Sequence, residues 1–168
     1  AMKLYILGAG KYGRVIEDIA EQTGKYDKIF FLDDMATCAI GKCGDFIKYI
    51  VGDAEFFVAF GDNAMRQKWI EQIVGTPAVL TTIIHPTAYI SPKAKIKSGC
   101  AVLPKALINT NSVLSRGIII NSGVIIDHDV SVGEYAHICV GAIVKADNKI
   151  PAGIKIEAGV VIERAEYK

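Results

Sequence analysis

From residue 84 onward, apolar side chains fall at every sixth position. Ile84, Ile90, Ile96, Val102, Ile108, Leu114, Ile120, Ile126, Val132, Ile138, Val144, Ile150, Ile156 and Ile162 occupy fourteen successive places with no slip or insertion. Four residues after each stands a second, mostly small or aliphatic register: Ala88, Ala94, Cys100, Ala106, Ser112, Ile118, Val124, Val130, Ala136, Ala142, Asn148, Ile154 and Val160. A helix repeats at about 3.6 residues and a half-buried strand at about 2, so neither explains a period of six. Such a repeat marks a solenoid: six residues make one short extended segment and a corner, and three segments close a triangular coil. Each coil stacks about 4.8 Å above the last, so backbone groups pair from coil to coil. Residues 84–168 are therefore expected to form an all-β parallel β-helix, with each buried rung contributing on the order of 1.5–3 kcal/mol. Glycines 99, 117, 123, 133, 141, 153 and 159, with Asn109, Asn111 and Asn121, are expected to supply the strained corner conformations. Pro86, Pro92, Pro104 and Pro151 lie beside rungs, where a missing N–H does least harm.

Other periods govern the residues before the ladder. Lys3 to Leu7 is a short apolar run entering the glycine-rich segment Gly8 to Gly13. A helix is expected from there to about Gln22, with Val15/Ile19 and Ile16/Ala20 on its apolar face and Gly24 as a stop. Lys28 to Leu32 reads as a second strand ending in Asp33-Asp34. Glycines at the first turn of such a unit allow close backbone approach, and the helix N-terminus offers N–H groups to a phosphate. An acid after the second strand can bind a ribose hydroxyl or a base edge. A glycine turn that merely packs helix on sheet would look the same. Met35 to Gly52 is polar and glycine-broken; Glu55 to Phe60 reads as a third strand, Gly61-Asp62-Asn63 as a turn. A helix from Ala64 to about Val74 follows, with Met65, Trp69 and Ile73 as its apolar stripe, and Ala78 to Ile83 is a fourth strand. Arg66 opposes the helix dipole in the first turn and is expected to be solvated or paired with an anion. Residues 1–83 thus have the size of half a dinucleotide fold and read as a small α/β Rossmann-like domain that holds one nucleotide.

The totals narrow the functional classes. Nineteen basic residues against eighteen acidic ones give +1, with no basic run to suit a nucleic acid or other polyanion. Neither a signal peptide nor an apolar run of membrane length is present, and Ala1-Met2 reads as an addition ahead of a native start. Cysteines 38, 43, 100 and 139 form no C-x-x-C pair and read as reduced thiols of a cytoplasmic protein.

All three histidines, 85, 128 and 137, lie on the ladder. His85 precedes Pro86 at its entrance and suits a structural or hinge role. His128 stands in Asp127-His128-Asp129, two residues past a rung, and should point outward. An imidazole beside carboxylates can be held in one tautomer and made more basic, which suits a general base near neutral pH; a merely solvated histidine is the competing reading. His137 lies nine residues on, half a coil away. The three are too far apart for the close pair usual at zinc, so no metal site is expected.

Here the chain resembles the bacterial sugar acyltransferases of the sialic-acid O-acetyltransferase and bacillosamine-pathway N-acetyltransferase type. The similar stretches are KLYILGAGKYGRVIEDIA at Lys3, FFLDD at Phe30, VAFGDNAMRQKW at Val58, IIHPTAYISP at Ile83 and, most specific, IINSGVIIDHDVSVGEYAHICVGA at Ile119, nearly end to end. The resemblance implies an N-terminal α/β nucleotide-sugar-binding domain, a left-handed β-helix, acetyl-CoA as acyl donor, a homotrimer, and active sites between neighbouring subunits. It makes His128 the base and Asp129 the acid that orients it, and places Asn121 in the acceptor pocket. His137, Gly141 and Ala142 fall on the donor side, with a backbone N–H near Gly141 as oxyanion donor. Gly8, Gly10, Tyr12, Gly13, Asp33, Asp34, Gly61 and Asn63 match the nucleotide-sugar end. Two departures stand out. Tyr12 replaces the family's usual histidine, which can sit by an acceptor amine. The ladder also ends near Ile162, where relatives add coils that hold part of CoA and finish in a G-x-P-A-like tail, so either this chain is shortened or the donor site is built with less protein. Cys139 stands near the site, with direct transfer favoured over a thiol route. A nicotinamide oxidoreductase, a γ-type carbonic anhydrase and a silent nucleotide-sugar-binding protein are the competing readings.

Overall fold

A computed structural model describes residues 1–168, and the chain separates into two units, Ala1–Ile83 and Ile84–Lys168. The first unit is a parallel sheet of β1 (Lys3–Leu7), β2 (Lys28–Leu32), β3 (Ala54–Val58) and β4 (Val79–Leu80), in the order β2-β1-β3-β4. The apolar run of β1 forms its centre: Leu4, Ile6 and Leu7 are fully buried, and the Tyr5 ring stacks on Phe30, Phe56 and Tyr49. Helices α1 (Lys11–Gln22) and α2 (Asn63–Val74) pack on this sheet, and a 3-10 segment runs from Cys43 to Tyr49.

Both helices turn slightly differently from their expected faces. Helix α1 buries Gly13, Ile16, Ile19 and Ala20, while Val15 is 42% exposed. Helix α2 buries Arg66, Trp69, Ile70 and Ile73, which leaves Met65 at the surface. An arginine takes the core place because its head finds acceptors there: Nη1 donates to Phe60 O (3.0 Å) and Gly61 O (3.2 Å), and Nη2 to Asn63 Oδ1 (2.8 Å). Arg66 is neither solvated nor free to pair with an anion. Strand β3 stops at Val58, two residues early, and the expected fourth strand is only Val79–Leu80.

Fourteen two-residue strands make the second unit, each ending on one rung of the hexad. Face I stacks β5 (Ile83–Ile84), β8 (Ala101–Val102), β11 (Ile119–Ile120), β14 (His137–Ile138) and β17 (Lys155–Ile156). Face II stacks β6 (Tyr89–Ile90), β9 (Leu107–Ile108), β12 (Ile125–Ile126), β15 (Ile143–Val144) and β18 (Val161–Ile162). Face III stacks β7 (Lys95–Ile96), β10 (Val113–Leu114), β13 (Ser131–Val132) and β16 (Lys149–Ile150). All pairings are parallel and join residues eighteen apart, such as Ile126 with Val144, and both apolar registers line one continuous core.

The corners correct the expected set of strained residues. From Gly99 to Ala165, every sixth residue has φ between +54° and +79°: Gly99, Lys105, Asn111, Gly117, Gly123, Asp129, Tyr135, Gly141, Asp147, Gly153, Gly159 and Ala165. Gly133, Asn109 and Asn121 are not among them. Gly133 is held instead by crowding, since an added Cβ would collide with the backbone of Ala152. Left-handed φ is disfavoured for residues with a Cβ, least so for Asn and Asp. On the edge between faces II and III the series is Asn111, Asp129, Asp147 and Ala165, without one glycine.

Candidate active site

The edge between faces II and III carries the one histidine joined to a carboxylate. His128 Nδ1 lies 2.7 Å from Asp129 Oδ2, and both side chains are near half-exposed. In the neutral ring, an Nδ1–H donating to Asp129 leaves the Nε2 lone pair free to take a proton. Two neighbours fix the turn: Asp127 Oδ1 accepts from His128 N (2.8 Å), and Asp129 N donates to Thr110 O (3.0 Å). The hydrogen bond to Asp129 raises the His128 pKa above its ordinary value, with Asp127, Asp129 and Asp147 adding charge attraction against desolvation. Asp129 is lowered chiefly by that same bond, then by Asn111 and more distant cations. Beside the pair lies a groove of about 370 Å³ lined by Asn111, Asp129, Ser131, Asp147 and Lys149.

One coil further on, the same corner offers an unpaired donor. At three corners the amide two residues past the rung is capped by the preceding side chain: Thr110 N by Asn109 Oδ1, Ser122 N by Asn121 Oδ1 and His128 N by Asp127 Oδ1. Before Ala146 stands Lys145, a cation with nothing to accept, which pairs with Glu163 at 2.6 Å instead. Ala146 is nonetheless 3% exposed, and its N–H meets no acceptor within the chain. Strand registers Ile126 to Val144 and Ser131 to Lys149 stack this corner on that of His128. The amide thus stands one coil from the His128 corner, and a free backbone N–H is the kind of donor that stabilises an oxyanion.

The oxyanion donor expected near Gly141 needs revision. Gly141 N donates to Ser122 O (3.0 Å) and Ala142 N to Cys139 O (3.1 Å), and the Ala142 side chain is fully buried in the prism. Neither amide is available to an oxyanion. Asn121 and Gly141 occupy the edge between faces I and II, and His137 opens β14 on face I. Within one chain they lie across face II from His128. Cys139 is 8% exposed, and burial raises its thiol pKa, which makes it a poor nucleophile. His85 is structural: Nδ1 accepts from Thr87 N at 3.0 Å, which puts its ring proton on Nε2.

In the first unit, the glycines divide by role. Gly8 has φ +106°, and a Cβ there would stand 2.7 Å from Ala59 O; a Cβ on Gly13 would collide with Gly8 O. Those two serve the close packing of helix on sheet. Gly10, the N-cap of α1, makes no side-chain cap and faces open space, as does Gly61. Uncapped N–H groups at that turn suit an anion; Tyr12 sits half-buried within it. Asp33 is committed to the backbone, accepting from Ala9 N, Met35 N and Ala36 N at 2.8–2.9 Å. Burial pushes its carboxyl up, yet these donors together hold it below the usual range. Asp34 accepts from Cys43 N (3.0 Å) and lines a cavity of about 240 Å³ with Met35, Cys43, Phe60, Met65 and Trp69. Trp69 and Met65 therefore border a ligand-sized space, which their apolar spacing did not reveal. The Cys43 thiol, pushed up to about 12 by burial and the neighbouring acids, is inert there. Asn63 accepts from Arg66 and so holds the loop after β3.

Comparison with known proteins follows the same division. Residues 3–73 match the PglD N-terminal domain family. Over 164 residues the chain is 29% identical to the GDP-perosamine N-acetyltransferase of Escherichia coli O157:H7, covering 88% of this chain and 74% of that protein. The acetyltransferase domain of PglB from Neisseria gonorrhoeae FA1090 superposes with a TM-score of 0.86 at 29% identity, over 97% of this chain and 92% of that one. PerB from Caulobacter crescentus, solved with CoA and GDP-perosamine, gives 0.80 at 29% identity, over 96% and 89%. With these matches the β-helix is left-handed, as in those structures. Over nearly its whole length the chain is similar to bacterial sugar acetyltransferases, with a PglD-type α/β domain ahead of a hexapeptide-repeat β-helix, and these matches support an acyltransferase.

Proposed function

We propose that this acyltransferase moves an acetyl group from acetyl-CoA to an amine or hydroxyl of a nucleotide-linked sugar, with His128 as general base. The observation that carries this reading is the 2.7 Å contact between His128 Nδ1 and Asp129 on an exposed edge beside a groove. Relatives crystallised with acetyl-CoA, or with CoA and GDP-perosamine, support the donor and a nucleotide sugar, and their N-acetyltransferase names favour an amine.

His128 Nε2 takes the proton of the acceptor as its nitrogen or oxygen attacks the thioester carbon. A C–N or C–O bond forms, the C–S bond breaks, and the proton passes from the imidazolium to the departing thiolate. Asp129 holds the ring and its developing charge, and Ala146 N–H binds the carbonyl oxygen in place of the donor expected near Gly141. General base work supplies about 10²–10⁴-fold and an oxyanion donor a further 10²–10³-fold. The domain of residues 1–83 binds the nucleotide, with Gly10 at the phosphates and Asp34 in the cavity, and residues 84–168 carry out the transfer. Gly8 and Gly13 shape the former by close packing, and Asp33 lines the cavity beside Asp34 while its carboxylate holds the turn.

The assembly we infer is a homotrimer. Outward residues of face II form one apolar column in register, Tyr89, Leu107, Ile125, Ile143 and Val161. Tyr89 is 55% and Val161 44% exposed. The two edges flanking that column hold His128 on one side and Asn121 and Gly141 on the other, so docking copies along face II would bring both sets into one site. Four free cysteines fit a reducing cytoplasm.

A thermal-shift panel of GDP- and UDP-sugars, each with and without acetyl-CoA, tests the reading, because a ligand at 100 times its Kd stabilises by about 2.7 kcal/mol. Stabilisation by acetyl-CoA and by at least one nucleotide amino sugar, with release of CoA when both are present, is expected. Nucleotide-sugar binding without any response to acetyl-CoA would leave a silent binding protein.

A further inference from the structure

Interior corner positions of the prism are small or apolar in eleven of thirteen cases, the exceptions being Ser112 and Asn148. Both are sealed from solvent, at 0% and 1% exposure. Both also stand on the edge between faces II and III, one coil to either side of Val130, so they bracket the corner that holds His128. A hydroxyl or amide inside an apolar column is disfavoured unless it is hydrogen-bonded; Asn148 bonds Lys145 O, Glu163 O and Tyr167 N, and Ser112 bonds the backbone of the His128 corner itself.

Most corners close on themselves. The N–H of the interior residue donates to the carbonyl three residues earlier, as from Ala94 to Ser91 (2.9 Å), Ala106 to Leu103 (3.2 Å), Ala136 to Gly133 (3.4 Å), Ala142 to Cys139 (3.1 Å) and Val160 to Glu157 (3.3 Å). At the His128 corner, the Ser112 hydroxyl bridges the same two groups. Its Oγ donates to Asp127 O at 2.6 Å and accepts from Val130 N at 3.1 Å. The serine therefore wedges open the four-residue turn that contains the candidate base and its acid. From the same coil, Asn109 Nδ2 reaches Asp127 Oδ1 at 3.4 Å and Asn111 bonds the Asp129 carboxylate. Asn109, Thr110, Asn111 and Ser112 thus brace Asp127, Asp129 and Val130 from one coil below.

We propose that Ser112 is a positioning residue for acyl transfer: its buried hydroxyl holds the 127–130 corner open, so that the left-handed backbone of Asp129 turns the carboxylate onto His128. This rests on His128 being the base. Without the hydroxyl, Val130 N–H and Asp127 O are free to bond directly, as the equivalent groups do at most other corners. The ladder would survive, because alanine already fills this register at 88, 94, 106, 136 and 142. The acid and the imidazole would be re-aimed. Loss of a wedge should therefore separate activity from folding, whereas loss of an ordinary packing group would lower both.

The test compares Ser112→Ala and Ser112→Cys with wild type in the full-length protein. Cysteine is the conservative variant, since Cys100 Sγ already makes the same contact, to Ser115 O at 3.1 Å. For Ser112→Ala, the expected result is a cooperatively folded protein whose kcat falls about 10- to 100-fold with little change in KM for acetyl-CoA. The ring titration of His128, followed by NMR among only three histidines, should shift downward as Asp129 disengages. Ser112→Cys should recover much of both. Wild-type kcat and ring titration in the alanine variant would overturn the proposal. So would a fall in kcat and melting temperature together with an unshifted titration, or an alanine variant that does not fold. The ring titration needs no turnover, so it judges Ser112 even if His128→Ala proves active and the base assignment fails.

Discussion

Asp129 combines two things that corners usually keep apart: a left-handed backbone, φ +57°, and a side chain with chemistry to perform. Glycine would fill that place without strain, as it does at 123, 141 and 159 on the next edge. Asn and Asp tolerate that conformation best among residues with a Cβ, so Asn111, Asp129 and Asp147 keep polar groups there at small cost. His128→Ala should lower kcat by about 10²–10⁴-fold while the ladder stays folded, measured by steady-state assay and circular dichroism; near-normal turnover would remove His128 from the role. The sign of the pH effect follows from the raised His128 pKa. A base must be neutral, so kcat/KM should rise with pH through an inflection above the ordinary imidazole value, and Asp129→Asn should move that inflection down. In stability, the His128 contribution is fully present below its unfolded pKa and is lost as pH rises through the higher folded one. An inflection at or below the ordinary value would contradict the pairing. His128 and Asp129 could be picked out from the sequence because they are neighbours in it. Ala146 and Ser112 could not: their partners lie fifteen to eighteen residues away, and an interior serine reads as one more small residue.

At the scale of elements, the period of six anticipated every rung and both ends of the ladder, because one covalent spacing dictates one inward direction. Helix faces were harder to read. Val15 and Met65 were assigned inward on spacing alone, while Arg66 reached the core because Phe60, Gly61 and Asn63 supply acceptors from a loop. The glycine turn was visible, but not its division of labour. Gly13→Ala should destabilise the first unit, since its Cβ would collide with Gly8 O, whereas Gly10→Ala meets nothing within 4 Å. The expected outcome is a lowered melting temperature for the former. Gly10→Ala should keep its melting temperature and bind nucleotide sugar more weakly by calorimetry. Equal melting behaviour of the two would refute the distinction.

For the molecule as a whole, the sequence contained the face II column only implicitly, because its five residues stand eighteen apart and each precedes a rung. An outer wall this apolar needs cover. Ile125→Asp puts a charge at the middle of the column, and we expect sedimentation at the mass of a smaller species, with turnover lost in parallel. A variant that sediments like wild type would place the subunit contact elsewhere.

The three-sided winding also sets a rule for how this gene can lengthen. Strand partners such as Ile126 and Val144 are one full circuit apart, so a duplication of one hexad after Val132 would preserve every rung yet carry Ala146 round to a different side from His128. Two duplicated hexads would also misplace it; three would restore the side but interpose a storey. Any six-residue change downstream of Ile156 would leave the pair untouched. Natural length variation in such proteins should therefore gather at the far end of the stack and avoid the storeys between the imidazole and that amide.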